Sequence, residues 1–346
     1  MPWLPRKSFS NWPEDAVDLS SEQVRQMYEF GFAGAVRDDN AIAEFQRTFP
    51  TPNGEEASRM YNIADTGKGK LVVPFVGVVR MFPGCWPGPA QGRGDCVSHS
   101  EKNACLTTMV CDILSGVPDE KTGKLEGKPD VPEEGIKNGV LSTEFLYWHR
   151  GYDGDGWSCH EGAMTAVKKG GFTVRQNYSD IGVDLTKYSA LLAGKYGSKA
   201  PPDNVTKMGQ EHLVHDLTEV ETFDALRDFL HNGYGCSTCG GEGYSDARDE
   251  NGVSKQKGSW AHAMACIGVD DRDEVKAKYN EPLVLILNSW ANWNNGPRKI
   301  VGTEMEIPEG AFWTPWSHAK NREYIVHSGG AGFPRKLLPD YVSLVG

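Results

Sequence analysis

Cys96 is the residue best placed to do chemistry in this chain. It follows Gln91-Gly92-Arg93-Gly94-Asp95, and Leu106, Met109, Val110 and Ile113 after it fall on one helical face, with Gly116 and Pro118 as stop signals. The spacing predicts that Cys96 opens a helix. A helix N-terminus offers free N–H groups and partial positive charge, which favour a thiolate. Gly92 and Gly94 let another backbone come close. A thiolate nucleophile needs an imidazole partner and a third group to hold the ring. His262 opens the apolar run to Val269, and Asn288 follows the run Leu283 to Leu287. Adjacent strands would bring the two together. His99 competes as a base, but as a neighbour on the same helix it is aimed along the helix. Blander roles stand beside these: Cys96 as a buried inert thiol, His262 as a satisfied strand-end histidine, Asn288-Ser289 as an Asx turn. Asp95 works against ionisation of the thiol, because a nearby carboxylate raises its pKa.

Other elements must carry these groups. Leu71 to Val79, with Pro74 inside, reads as an edge or bent strand. Pro83 to Pro89 reads as irregular. Ser142 is placed to cap a helix over 143–148. A glycine-rich loop from Gly151 to Gly156 leads to a helix from about Glu161 to Lys169. Thr222 caps a helix that ends at Asn232-Gly233, and Ser20 or Ser21 caps one from Glu22 to about Phe30. Residues 116–140 read as a charged loop. Helices come first and strands later, which predicts an α+β protein with a helical lobe and a sheet lobe. The expected division is an N-terminal extension or prosegment over 1–75, a helical lobe over 76–220 and a β-rich lobe over 221–346.

The order Cys, His, Asn-Ser-Trp resembles the papain family of cysteine peptidases. Gln91-Gly92 precedes Cys96 as the family's oxyanion-hole glutamine precedes its nucleophile. Leu141-Ser142-Thr143-Glu144 resembles the family's Leu-Ser-Glu helix start, and Gly154-Asp155-Gly156 through Met164 resembles its substrate-cleft loop and the following helix. Ala261-His262-Ala263 resembles the start of the His strand, and Asn288-Ser289-Trp290 matches the Asn segment, with Trp293 and Gly296 after it. The resemblance spans about residues 85–300. It implies a two-lobed fold, helical on one side and an antiparallel sheet or barrel on the other. It implies that Cys96, His262, Asn288 and Gln91 are catalytic, with Trp290 shielding the His–Asn bond. It places Gly154, Asp155, Gly156, Trp157, Trp260, Ala261 and Trp290 along the substrate groove. The chain departs from the pattern at Arg93-Gly94-Asp95-Cys96-Val97, where the family has Cys-Gly-Ser-Cys-Trp. The intervals between the three key residues are also long; segments 116–140, 185–215 and 270–282 absorb the excess. These departures admit another class of function, a structural or interaction protein of the same fold in a virion or other assembly.

Composition bounds the rest. A net charge of −11 over 346 residues argues against nucleic acid as a partner. No run is long and apolar enough to span a membrane. No secretory signal is seen at the start, which predicts mostly reduced thiols in a cytosol-like compartment or within an assembly. Eight cysteines are present. Cys236-Ser237-Thr238-Cys239 has the spacing of half a zinc site, a redox pair or a disulfide, or holds plain loop or core cysteines; with no second such motif, Cys236 and Cys239 are weak metal candidates. No cofactor is expected. The expected partner is a polypeptide substrate, with a further protein reached through the N-terminal extension.

Overall fold

The computed structural model describes residues 34–49, 66–115, 140–151, 153–169, 171–330 and 332–333. The expected helix over 22–30 and most of the 116–140 loop lie outside these residues.

The apolar runs of the last third build one antiparallel sheet. Its strands are β1 (Leu71–Val72), β4 (Leu217–Glu219), β5 (Cys236–Tyr244), β6 (Gln256–Asp270), β7 (Leu283–Leu287), β8 (Ala311–Pro315) and β9 (Glu323–His327). A separate two-stranded ribbon is β2 (Asn177–Tyr178) with β3 (Val183–Asp184). The sheet order is β4-β9-β5-β6-β7-β8, with β1 on the free end of β6. Burial explains the central strands: every residue of β7 and the last ten of β6 are buried, so both faces carry apolar side chains.

The helices that frame the site are α1 (Asp39–Thr48), α2 (Phe75–Met81), α3 (Cys96–Ser115), α4 (Glu144–Tyr147), α5 (Cys159–Lys168), α6 (Phe223–His231) and α7 (Asp273–Tyr279), with further short helical segments among and after them. Local caps set several boundaries. Asp38 accepts from Asn40 and Ala41 N–H, Ser158 from Glu161 N–H at 3.4 Å, and Thr222 from Ala225 N–H at 3.2 Å. Ser142 does not cap α4 as expected. Its hydroxyl pairs instead with Thr173 Oγ1 at 3.3 Å, and α4 starts two residues later without a side-chain cap.

The reading of 71–79 as one strand is corrected. Only Leu71 and Val72 pair, and the chain turns into α2 at Pro74. Proline has its φ preset for a helix start and no N–H to lose there. The apolar run is then satisfied by burial of Phe75, Val76 and Val78 in a helix.

α3 is buried on all sides from Cys96 to Thr108 rather than along one face, so it carries polar residues into the interior. They fasten it to the sheet. Ser100 donates to Met264 O, Thr108 donates to His327 O at 2.9 Å and accepts from Gly235 N–H at 2.8 Å, and Glu101 lies 2.7 Å from His327 Nε2. Gly235 is required at this seam, because a Cβ there would stand 2.0 Å from Ala104 O.

The thiols are not all reduced. Cys159, at the start of α5, is disulfide-bonded to Cys239 in β5, which ties the helical side to the sheet. This also overturns Cys236 and Cys239 as a metal or redox pair. Three residues apart on one strand, they face opposite sides of the sheet. The described residues contain no group of three or more metal-ligating side chains. The bond closes a loop 80 residues apart in sequence. Reducing the disulfide is expected to lower unfolding stability by about 2–5 kcal/mol. Urea titration with and without reductant, repeated on Cys239→Ser, measures it.

Candidate active site

Cys96 is the first residue of α3, and the Ala263 N–H, in the peptide next to His262, lies close enough to its sulfur to favour the thiolate. The Ser100–Met264 bond one turn along α3 fixes this approach. His262 lies inside β6 rather than at its start, opposite Gly240 of β5. Arg322, wholly buried, donates to His262 O at 2.8 Å and to Thr238 Oγ1 at 3.2 Å, so the backbone behind the imidazole is held from below. Asn288 extends β7 one residue beyond Leu287, which pairs with Ala265. Its Oδ1 lies 2.8 Å from His262 Nε2. Oδ1 can only accept, so this bond assigns the proton to Nε2 and turns Nδ1 the other way.

Aromatic rings cover the bond. Trp290 stacks on the imidazole with centroids 4.5 Å apart and planes at 25°, and Trp260 and Trp293 pack against Trp290 at 4.8 and 5.7 Å. Water is thereby kept from a polar pair whose strength grows as the local dielectric falls. Gln91 ties the loop before Cys96 to the asparagine loop. Its N–H donates to Ser289 O at 2.8 Å, its Oε1 accepts from Ser289 Oγ, and its Nε2 donates to Arg93 O at 2.7 Å.

Two carboxylates lie close to the thiol. Asp155 accepts from Gly94 N–H at 2.8 Å, from Arg93 Nε at 3.1 Å and from Tyr147 OH. It therefore braces the loop before Cys96 from within the protein. Asp95 accepts from Tyr188 OH at 2.9 Å, and that hydroxyl accepts in turn from Gly92 N–H at 2.8 Å. Burial pushes the Cys96 thiol well above its ordinary value; the Ala263 N–H opposes this, and Asp95 and Asp155 add to it. The Asp95 carboxyl is pushed up to about 8, mainly by burial, against the Tyr188 bond. Burial holds His99 well below its usual range, and its Nε2 lies 3.7 Å from Asp95.

Of the residues expected along a groove, Ala261, Gly156 and Trp157 stand around one channel, but the chain itself fills it. Trp157 N–H donates to Gly34 O at 2.8 Å, Val36 N–H donates to Trp157 O at 2.8 Å, and Ala35 N–H donates to Ala261 O at 2.9 Å. Residues 34–36 thus run between the loop before α5 and the strand that carries His262, parallel to Trp157. Gly34 has φ +98°, and a Cβ there would lie 2.4 Å from Gly94 O, two residues before Cys96. Cys96, His262 and Ala35 are 0% exposed as a result. The Trp157 side chain is buried, so its backbone faces the channel. Gly154 is exposed on a turn, away from the others, and Trp260 backs Trp290.

Spacing carried no sign of Gly34, Ala35, Tyr188 or Arg322. Each reaches the site from a distant part of the chain, and none sits in a chemical motif.

No family model matches the chain, and no curated protein matches it. Solved structures do. It is similar to xylellain, a cysteine protease from Xylella fastidiosa, at 16% identity over 86% of this chain and 95% of that one, with a TM-score of 0.48. It is similar to the ragweed cysteine protease Amb a 11 in its proform, at 13% identity over 88% and 76%, with a TM-score of 0.45. Procathepsin B S9 from Trypanosoma congolense matches at 9% identity over 90% and 89%, with a TM-score of 0.46.

Asp95 supplies a pH dependence. Its folded-state pKa lies above the ordinary 3.8, so folding takes up a proton between that value and about 8. The stability it contributes is complete below pH 4 and is lost as pH rises through 8. Relative to Asp95→Asn, the wild-type protein is expected to lose on the order of a few kcal/mol across that window. Chemical denaturation of both proteins at pH 4, 6 and 8 checks this.

Proposed function

We propose that the chain is a divergent papain-like cysteine peptidase held latent by its own residues 34–36. The observation that carries this reading is the Cys96 sulfur beside the His262–Ala263 peptide, with His262 Nε2 engaged by Asn288 under Trp290. That arrangement suits acyl transfer. His262 Nδ1, turned away from Asn288, takes the thiol proton. The Cys96 sulfur attacks a peptide carbonyl carbon, and the tetrahedral oxyanion takes hydrogen bonds from the Cys96 N–H and the Gln91 amide. Such donors are typically worth about 2.7–4 kcal/mol each. Collapse expels the amine, which takes its proton from His262. Water, deprotonated by the same ring, then hydrolyses the thioester. Asn288 and Trp290 keep the imidazole oriented through both steps.

The groove must first open. Burial is the leading cause of the raised thiol pKa. Displacing residues 34–36 admits water, removes part of that cause and lets the N-terminus of α3 favour the thiolate. A second reading, a scaffold of the same fold without turnover, is favoured by the fully buried thiol and the two carboxylates beside it.

One experiment separates the two. Hydrolysis of a quenched fluorescent peptide library and alkylation of Cys96 by iodoacetamide, located by peptide mass mapping, are followed in the wild type and in Gly34→Val, whose side chain cannot coexist with Gly94 in the groove. The variant is expected to alkylate at Cys96 at least tenfold faster. Cys96→Ala is expected to abolish hydrolysis, and His262→Ala to lower kcat by about 10²–10⁴. A variant that neither alkylates at Cys96 nor cleaves peptide sinks the peptidase reading in favour of the scaffold.

A further inference from the structure

A cavity of about 460 Å³ lies beside α3, which contributes His99 and Lys102 to its lining. Its polar wall includes His99, Lys102, Arg175, Lys187 and Tyr188, and Pro87 contributes to its apolar wall. No carboxylate lines it, in a chain whose net charge is −11.

Most of the polar groups facing this space are already committed. Arg175 is paired with Glu144 at 3.0 Å. The Tyr188 hydroxyl donates to Asp95 and accepts from Gly92 N–H. Two groups are not matched. Lys102 is 3% exposed and donates to Pro87 O at 2.9 Å, with no carboxylate at ion-pair distance among the described residues. His99 is equally buried; its Nε2 has no hydrogen-bond partner, and the Asp95 carboxyl 3.7 Å away is beyond bonding distance. Burial pushes the Lys102 ammonium down to about 7, and Arg175 pushes it the same way. A buried cation without a counter-ion is costly unless something supplies the charge. Lys187 stands exposed at the rim.

We propose that this cavity binds a small molecule bearing an oxyanion, phosphate or carboxylate, with Lys102 and His99 at its floor and Lys187 at its mouth. The cavity is larger than a bare oxyanion, and its proline wall suits the remainder of such a molecule. The site does not depend on the peptidase reading and makes no use of Cys96.

The test uses inorganic phosphate and acetate as probes of the full chain. Isothermal titration is expected to show saturable one-to-one binding of at least one of them. Thermal melts are expected to rise with it, beyond the effect of sodium chloride at the same ionic strength. The preferred probe identifies the head group. Lys102→Met is expected to weaken binding at least tenfold while melting no lower than the wild type without probe, since a buried cation has been replaced by an apolar chain of similar length. Lys187→Ala, at an exposed position, is expected to weaken binding severalfold with an unchanged melt. Absence of saturable binding of both probes at tens of millimolar overturns the proposal. So does unchanged affinity in Lys187→Ala, a result that stands even if the Lys102 variant fails to fold.

Discussion

The bond from His262 Nε2 to Asn288 Oδ1 is the interaction around which the rest of the site is arranged. It exists because β6 and β7 pair so that Ala265 faces Leu287, leaving the asparagine one step past the strand end. It stays ordered because the backbone behind it is held by Arg322 and its face is covered by Trp290. Shift either strand by one residue and every side chain on it changes face. The register of two apolar strands therefore sets the orientation of the imidazole ring.

Against that fixed ring stands a crowded electrostatic environment. The loop before Cys96 carries Asp95 and leans on Asp155, and both carboxylates disfavour a thiolate. They also hold the loop's shape. Asp155 gathers Gly94, Arg93 and Tyr147, and Asp95 meets Tyr188, which reaches back to Gly92. Replacing these acids would ease ionisation of the sulfur and loosen the loop that aims it. The same residues thus set reactivity and geometry in opposite directions.

Closure of the channel by residues 34–36 adds a third constraint. The segment completes a backbone hydrogen-bond pattern across both walls, from Trp157 on one side to Ala261 on the other. α1 follows it and packs on α5, where Phe45 meets the His160 ring edge-on at 5.0 Å. α5 is in turn bound to β5 through Cys159–Cys239. Cover, helix and sheet are linked in series, so the channel walls and their occupant are held by the same elements.

Much of this was legible in the residues. The helix from Cys96 follows from its apolar period and stop signals, and the helix between Thr222 and Asn232 from capping chemistry, which are local properties. The strands ending at Asp270 and Leu287 follow from apolar runs of strand length. The histidine and asparagine strings pointed to two groups that do meet, through the Nε2–Oδ1 bond. What the chain could not disclose locally was decided by packing between distant segments. Leu71 to Val79 splits into strand and helix because only its first two residues find a partner in β6, while Pro74 favours a helix start. Cys239 joins Cys159 rather than Cys236 because strand alternation turns its neighbour to the other face. The buried, neutral condition of the Cys96 thiol, and the presence of Ala35 in the channel, depend on contacts across dozens of residues. Spacing records which groups a chain carries; only the folded packing sets their solvent exposure, and solvent exposure governs their charge.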